Sequence, residues 1–180
     1  MAKFTEKQLV QRCIKEDRSA QQEVFRRYGG KLLSVCRRYA RHRLEAEDLL
    51  QDAFIKIFDK MHTFKYKGSL EGWMRRITVN IAIKNYQKSS FQKEQIGIEV
   101  FHERSENPAV FAHLGEEELM GLIETLPQGY KVVFNLYAIE GYSHKEIADL
   151  LKIGESTSRS QLMKARKMLQ GMVLELQQVA

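Results

Sequence analysis

Proline and glycine are both scarce in this sequence, with two prolines, Pro108 and Pro127, and 11 glycines among 180 residues. Alternation of apolar and polar residues, the pattern of a half-buried strand, is nearly absent as well. The long segments instead repeat apolar residues at intervals of three and four, which is the spacing of amphipathic helices. Hydrophobic residues make up 43% of the chain, enough for a packed core and too many for a disordered protein. We therefore expect an all-α fold.

Long apolar runs are absent too. No stretch of about 18 uncharged apolar residues occurs, so we expect no helix that spans a membrane. Residues 1–17 carry a charge every few positions and lack the apolar stretch of a secretory signal. The expected location is the cytoplasm.

Cysteine and histidine are few, and their spacing suits neither metal binding nor catalysis. Cys13 and Cys36 stand without a paired-ligand motif, which argues against a disulfide scaffold and a structural zinc site. Both lie on apolar helix faces, so we expect buried thiols. The histidines share no metal or catalytic spacing: His42, His62, His102, His113 and His144. We expect no catalytic residue, no cofactor, no metal and no small-molecule substrate, and therefore no enzyme.

Positive charge is concentrated in the first half of the chain. Residues 1–90 hold 20 Lys and Arg against 10 Asp and Glu, whereas residues 91–120 hold 2 against 7. Residues 121–180 are nearly balanced, with 7 against 6. A basic first half favours contact with a polyanion such as nucleic acid. A solvated basic helical surface explains the same numbers, so charge alone leaves both interpretations open.

Three apolar stripes predict helices within residues 1–90, which we interpret as one helical domain. The stripes are Val24, Phe25, Tyr28, Leu32, Leu33, Val35, Cys36 and Tyr39; Leu49, Leu50, Ala53, Phe54, Ile57, Phe58 and Met61; and Leu70, Trp73, Met74, Ile77 and Ile81. Glu47 and Asp48 are expected in the first turn of the second helix, where negative charge suits the helix dipole. Ser69 is expected to cap the third helix. Trp73 shares the helical spacing of the third stripe, which favours packing in the core over base stacking as its role.

Residues 91–118 show little periodicity and contain an acidic cluster at 116–118. A structureless segment of that length is unusual inside one compact domain. We therefore predict an acidic flexible linker over 91–118, between a domain at 1–90 and a second helical domain at 119–180. In the second domain, Pro127 is expected to open a helix, and Gly141 to end it.

The segment from Ser143 to Leu169 predicts a helix-turn-helix. Ser143 and Glu146 form a capping box, Ala148 supplies the small residue at the helix crossing, and Ile153 plugs the turn. The second helix is expected to begin near Ser156 or Thr157 and to turn polar and basic residues toward the major groove: Ser156, Arg159, Ser160, Met163, Lys164 and Lys167. An αα-hairpin with a solvated basic face is the alternative.

This second half resembles the C-terminal domain of bacterial sigma factors of the extracytoplasmic-function group, the small two-domain kind. The resemblance lies in GYSHKEIA at 141–148 and TSRSQL at 157–162. The first half is similar to the same family in AEDLLQDAF at 46–54, FKYKG at 64–68 and WMRRITVN at 73–80. Together these blocks cover nearly the whole chain.

The resemblance implies a non-enzymatic transcription initiation factor with three kinds of surface. Binding to the β′ clamp helices of core RNA polymerase is implied for Asp48, Gln51, Asp52, Phe54 and Phe58. Recognition and melting of the −10 element are implied for Lys65, Tyr66, Lys67, Arg75, Arg76, Asn80 and Lys84. Recognition of the −35 element is implied for Thr157, Arg159, Ser160, Met163, Lys164, Arg166 and Lys167. The resemblance also implies contact with the flap of the β subunit and an anti-sigma partner.

Three positions depart from the family or vary within it. Lys152 stands where the family usually has glycine at a helix end, and a lysine there at positive φ would cost roughly 1 kcal/mol. Gly154 is the alternative residue for that conformation. Ser158 stands where many members carry valine, and His144 lies where the family varies freely.

Two other classes of protein are weighed against this interpretation. A helix-turn-helix regulator that is not a polymerase subunit commonly carries an α/β receiver domain, and the first half shows no strand pattern for one. A DNA-cleaving recombinase needs a supported nucleophile. Tyr39 continues an apolar stripe, and Ser34 lacks any partner pattern, so neither predicts one.

Overall fold

The computed structural model describes residues 4–93 and 115–179. This part of the chain contains eight α-helices and no β-strand, which confirms the all-α prediction. The helices are α1 Glu6–Ile14, α2 Arg18–Tyr39, α3 Arg43–Lys60, α4 Leu70–Lys93, α5 Glu116–Thr125, α6 Gln128–Phe134, α7 His144–Leu151 and α8 Glu155–Val179. A 3-10 turn follows α3 at Met61–Thr63, and a π-helical segment follows α6 at Asn135–Ile139. None of these helices is long and apolar enough to cross a membrane.

The chain divides into two compact units, Met1–Asn85 and Tyr86–Ala180. In the first unit, α1 packs on α2 and α2 packs on α3. The side chains that are almost completely buried there include Leu9, Leu32, Ile57, Met61, Leu70 and Met74. Asp17 caps α2 by accepting hydrogen bonds from the backbone amides of Ser19 and Ala20, and it pairs with Arg12 of α1 at 2.6 Å. The two helices are thereby joined through one carboxylate.

The beginning of α3 differs from the prediction. The helix starts at Arg43, so Glu45 lies in its first turn, and the placement of Glu47 and Asp48 there is wrong. The cause is His42, whose Nδ1 accepts a hydrogen bond of 3.2 Å from the Glu45 amide. An imidazole cap lies outside the Ser, Thr, Asp and Asn set from which a helix start is usually predicted. By contrast, the Ser69 cap of α4 is confirmed, since its hydroxyl accepts from the Gly72 amide at 3.1 Å.

In the second unit, α5, α6 and α7 all pack against α8. Ile123, Leu126, Ala165 and Leu169 are buried together, and Leu162 lies on the same inward side of α8. The Pro127 cap of α6 and the positive φ of Gly141, +78°, agree with the predicted break between helices. The predicted capping box of α7 is present.

The turn between α7 and α8 uses Lys152 and not Gly154. Lys152 has φ +58° and ψ +40°, the left-handed conformation, and the glycines with positive φ in the described residues are Gly68 and Gly141. Helix α8 begins at Glu155, just before the predicted start. A lysine thus holds the left-handed conformation at this helix end, at the cost that a side chain brings there.

Helix also occupies both ends of the segment 91–118 that was predicted as a linker, because α4 ends at Lys93 and α5 begins at Glu116. Residues 94–114, with most of the acidic charge of that segment, lie outside the described residues. The linker and the domain boundaries at 90 and 119 therefore stay predictions.

Candidate nucleic-acid interface

Helix α8 separates its apolar side from its polar side as the sequence predicts. Leu162, Ala165 and Leu169 are buried. Of the residues expected to face DNA, Thr157, Arg159, Ser160, Met163 and Arg166 are exposed, and Lys164 and Lys167 are half-buried. Lysine buries its aliphatic stem readily while its charge stays in water. The predicted −35 set therefore lies together on one accessible face.

Arg159 is held within that face by a neighbour on the same helix. Its Nη2 donates to Oε2 of Glu155 at 2.8 Å, and both side chains are well exposed. An exposed pair four residues apart contributes little to stability. The guanidinium can therefore exchange this carboxylate for a phosphate or a guanine edge at small cost.

A buried polar contact that was not predicted from the sequence joins α7 to α8. Ser158 is completely buried, and its hydroxyl lies 2.9 Å from Nδ1 of His144, the first residue of α7. The His144 ring stacks on Tyr137 with centroids 4.6 Å apart and an interplanar angle of 22°. Arg166 lies with its guanidinium carbon 5.7 Å from the same Tyr137 centroid. The clue in the sequence is the inward spacing of Ser158 with Leu162 and Leu169, because a buried hydroxyl needs a partner.

The surroundings of His144 favour its neutral form. Desolvation of the ring, followed by the positive charge of Arg159, lowers the pKa of His144 below its ordinary value of 6.5. The neutral ring has one donor and one acceptor nitrogen. It can therefore bond to the Ser158 hydroxyl without placing a third positive charge beside Arg159 and Arg166.

The loop at 64–68 in the first unit presents an aromatic ring between two lysines. Phe64 is buried. The centroid of its ring lies 4.9 Å from the ring centroid of Tyr66 and 5.4 Å from that of Trp73. Tyr66 is 47% exposed with φ +56°, and Gly68 has φ +114°. The chain bends over residues 66–68, where these two residues have positive φ. The half-exposed Tyr66 ring offers a stacking platform of the kind that single-stranded bases use.

Helix α4 carries the remaining −10 candidates. Arg76, Asn80 and Lys84 are exposed at intervals of four, and Arg75 is half-buried. Other cations of the unit are neutralised: Lys31 pairs with Glu71 at 2.6 Å, Arg27 with Glu23 at 2.6 Å, Arg41 with Glu45 at 3.1 Å and Arg43 with Glu47 at 2.8 Å. Among the residues that the structure describes, no ion pair involves Lys65, Lys67, Arg76 or Lys84. Positive charge is therefore available to an anion on the loop and α4.

Helix α3 presents an acidic outer face with apolar edges. Asp48, Gln51 and Asp52 are exposed, and Leu44 and Ile55 are each 68% exposed on the same helix. Carboxylates beside exposed apolar side chains suit a basic partner helix.

One predicted contact residue of α3 does not reach that surface. Phe54 is only 5% exposed, so little of its ring is accessible for the contact predicted there. Its ring is enclosed between Phe25 at 4.8 Å and Phe58 at 5.7 Å, because the aromatic side chains of α2 and α3 interlock. Phe58 is half-buried, and Phe25, assigned to the core by its spacing, is 51% exposed. Phe25 is thus the more exposed ring of this aromatic contact.

The surroundings of the two cysteines decide whether their thiols are reactive. Cys13 and Cys36 are free and buried, as predicted. Burial raises the pKa of Cys13 to about 11 and that of Cys36 to about 12, so neither is a reactive thiolate. Within residues 4–93 and 115–179, no group of three or more His, Cys, Asp or Glu residues could hold a metal ion.

Comparison with known proteins finds two family models that match this chain. Residues 24–91 match the family model for sigma-70 region 2, and residues 116–169 match the model for sigma-70 region 4. The ECF RNA polymerase sigma-E factor of Haemophilus influenzae is 28% identical over 187 residues, covering 96% of this chain and 97% of that protein. The sigma-E factor of Escherichia coli K12 is 29% identical over 188 residues, covering 96% of each. The chain belongs to the sigma-70 family, and these relatives, which it resembles along nearly its whole length, are extracytoplasmic-function sigma factors.

Among solved structures, the comparison matches the sigma factor RpoE in complex with the anti-sigma factor NepR from Bartonella quintana. It is 19% identical with a TM-score of 0.49, and the similarity covers 86% of this chain and 96% of that one. In this sigma factor, region 2 contains most of α2, all of α3, the loop at 64–68 and nearly all of α4. Region 4 runs from α5 into α8 and contains the helix-turn-helix.

Proposed function

We propose that this sigma factor binds core RNA polymerase, directs it to specific promoters and helps open the −10 element. The observation that carries the proposal is the presence of both sigma-70 regions in one chain, in order, over residues 24–91 and 116–169. Each region has a surface of suitable chemistry. Bond making and breaking belong to the polymerase, and the sigma factor acts in the cytoplasm.

The polymerase-binding surface is the outer face of α3. Asp48, Gln51 and Asp52 are exposed there between the apolar side chains of Leu44 and Ile55. The β′ clamp helices are the proposed partner. The carboxylates of this surface can orient a partner helix, and the apolar side chains beside them can add affinity. Region 4 is proposed to contact the flap of the β subunit. An anti-sigma protein that covers these surfaces is the proposed means of keeping the factor inactive.

Promoter recognition is divided between the two regions. In region 4, the N-terminal half of α8 enters the major groove at the −35 element, with Arg159 available for a base edge. In region 2, Tyr66 stacks on an unpaired base of the −10 element, while Lys65, Lys67 and Arg76 neutralise phosphates. Flipping a base out of the duplex costs a few kcal/mol, and the stacking platform at Tyr66 offsets part of that cost.

Run-off transcription tests this function directly. The purified chain is mixed with bacterial core polymerase lacking other sigma factors, over a library of genomic fragments. Discrete start sites that depend on the chain are the expected result, and they identify the promoter sequence at once. Absence of a polymerase complex, together with sequence-specific duplex binding by the chain alone, would instead indicate a helix-turn-helix regulator that is not a polymerase subunit.

A further inference from the structure

The contact between His144 and Ser158 is a polar bond at a place where packing alone would need none. Ser158 lies on the inward side of α8 with Leu162 and is completely buried. Its hydroxyl and Nδ1 of His144 are 2.9 Å apart. A buried hydroxyl bond has a narrow range of distances and angles, whereas apolar contacts tolerate sliding. The pair therefore fixes the start of α7 against the first turns of α8.

The same imidazole reaches α8 a second time through Tyr137. Its ring stacks on Tyr137 at 4.6 Å, and the Arg166 guanidinium carbon lies 5.7 Å from the Tyr137 centroid. A guanidinium beside an aromatic ring is attracted by the ring electrons. Ser158 and Arg166 are separated by about two helical turns. His144 is thus connected to the recognition helix at two levels, through the hydroxyl of Ser158 and through the ring that Arg166 contacts.

Arginine side chains on a helix surface have many rotamers, and binding must select one of them. A planar guanidinium that is already oriented loses less freedom when it forms its contact. The neighbouring region of α8 carries Thr157 and Arg159, whose backbone positions depend on how the first turns of the helix are seated.

We propose that His144 is a positioning residue for −35 recognition, which seats the first turns of α8 through Ser158 and orients Arg166 through Tyr137. This inference rests on the proposed function. In this role, His144, the first residue of α7, contributes to promoter discrimination without contacting DNA itself. The pair Ser158 and His144 then acts as a unit, and changing either one disturbs the same face of α8.

The test uses holoenzyme reconstituted from the full chain and core polymerase, on a promoter recovered in the run-off experiment. Apparent Kd is measured for that promoter and for the same duplex with a scrambled −35 element, and the melting temperature of the free chain is recorded. We expect His144→Ala to reduce the ratio of the scrambled-site Kd to the promoter Kd by about tenfold, the combined size of one hydrogen bond and one ring contact. Asp149→Ala, an exposed change on α7, is the matched control and leaves the ratio unchanged.

A second variant separates positioning from stability. The side-chain amide of His144→Asn can take the place of Nδ1 and keep the bond to Ser158, but it cannot stack on Tyr137. We expect this variant to melt near the wild-type temperature and still to lose discrimination. Full discrimination by His144→Asn would overturn the route through Tyr137. Equal losses on the intended and scrambled promoters for His144→Ala would overturn the proposal as a whole and leave a purely structural role.

A double-mutant cycle with Arg166→Ala completes the test. If His144 acts through Arg166, removing Arg166 costs less in the His144→Ala background than in the wild type. Additive losses would contradict the coupling. If the wild-type holoenzyme gives no promoter-dependent start sites, the proposed function itself fails, and this inference fails with it.

Discussion

The carboxylate of Glu45 joins α3 to α4. Its Oε1 accepts a hydrogen bond of 2.7 Å from Nδ2 of Asn85, and its Oε2 accepts one of 2.6 Å from the backbone amide of Arg41. The Glu45 side chain is only 11% exposed. Burial alone would raise its pKa, but the hydrogen bonds from Arg41 and Asn85 outweigh burial and the pKa is lowered. The helix proposed to bind polymerase is thus tied to the helix proposed to contact the −10 element.

Glu45→Ala is expected to destabilise region 2 by about 1–2 kcal/mol, because a nearly buried charged acceptor is lost and its donors are left without it. Urea unfolding of the full chain, followed by the fluorescence of the sole tryptophan, Trp73, gives the free energy of unfolding. Glu47→Ala is the matched control, since Glu47 forms an exposed pair with Arg43, and such pairs contribute little. Similar losses in both variants would contradict the bridging role of Glu45.

Asp52→Lys is expected to abolish binding to core polymerase without unfolding region 2. Asp52 is exposed on the outer face of α3, so the substitution reverses a surface charge and disturbs no packing. Co-elution with core polymerase on a sizing column measures binding, and thermal denaturation measures folding. Glu6→Lys, the same change of charge in the exposed first turn of α1, is expected to bind normally. Normal co-elution of the Asp52 variant would remove α3 from the interface.

Arg159→Ala is expected to weaken binding of the holoenzyme to its promoter by roughly 1–3 kcal/mol if the guanidinium contacts a guanine. The loss should be confined to promoters with that base pair. Competition binding with duplexes substituted one base pair at a time across the −35 element locates the position. A loss that is equal on every duplex would assign Arg159 to a phosphate instead.

Local features of this fold were predictable from sequence, and features that depend on tertiary contacts were not. The caps at Ser69 and Ser143 were predicted because a cap needs only residues within one turn. Spacing placed both Phe54 and Phe25 on apolar stripes, but it did not show that Phe54 is buried while Phe25 of α2 is 51% exposed. Helical spacing alone cannot show which of two aromatic residues lies outermost.

The candidate interface likewise combines local features, which were predictable, with tertiary contacts, which were not. The outward residues of α8 follow from periodicity, and the structure places them on one face. The contact of Ser158 with His144 joins two helices and depends on how they cross, so neither residue reveals it alone. What the sequence did contain was a polar residue at an inward position, a local inconsistency of the kind that often marks a site with a special role.

Lys152→Gly is expected to stabilise region 4 by about 0.5–1 kcal/mol. Glycine removes the side-chain clash of the left-handed conformation, roughly 1–2 kcal/mol, and returns part of that gain as chain entropy in the unfolded state. Chemical unfolding of the full chain, followed by helical circular dichroism, measures the change. Lys145→Gly, in the helical backbone of α7, is the control and is expected to destabilise by about 0.5–1 kcal/mol. A destabilising Lys152→Gly would mean that the lysine side chain makes a compensating contact.

Asp17 gives region 2 a dependence on acid pH with a definite sign. The hydrogen bonds to its carboxylate, the one from the Ser19 hydroxyl first and that from Arg12 next, lower the pKa of Asp17 from 3.8 to about 2. A carboxyl whose pKa is lower in the folded state contributes stability that is fully present above the unfolded pKa and is lost as pH falls toward the folded one. Asp17→Asn should therefore be less stable than the wild type at pH 5, and the difference should shrink between pH 4 and pH 2.

Unfolding followed by Trp73 fluorescence across this pH range measures the difference in the free energy of unfolding between Asp17→Asn and the wild type. Glu16→Gln, for which the structure describes no side-chain hydrogen bond, should show no such trend. A wild-type advantage over Asp17→Asn that stays constant from pH 5 to pH 2 would show that the carboxylate charge does not stabilise the α1–α2 junction.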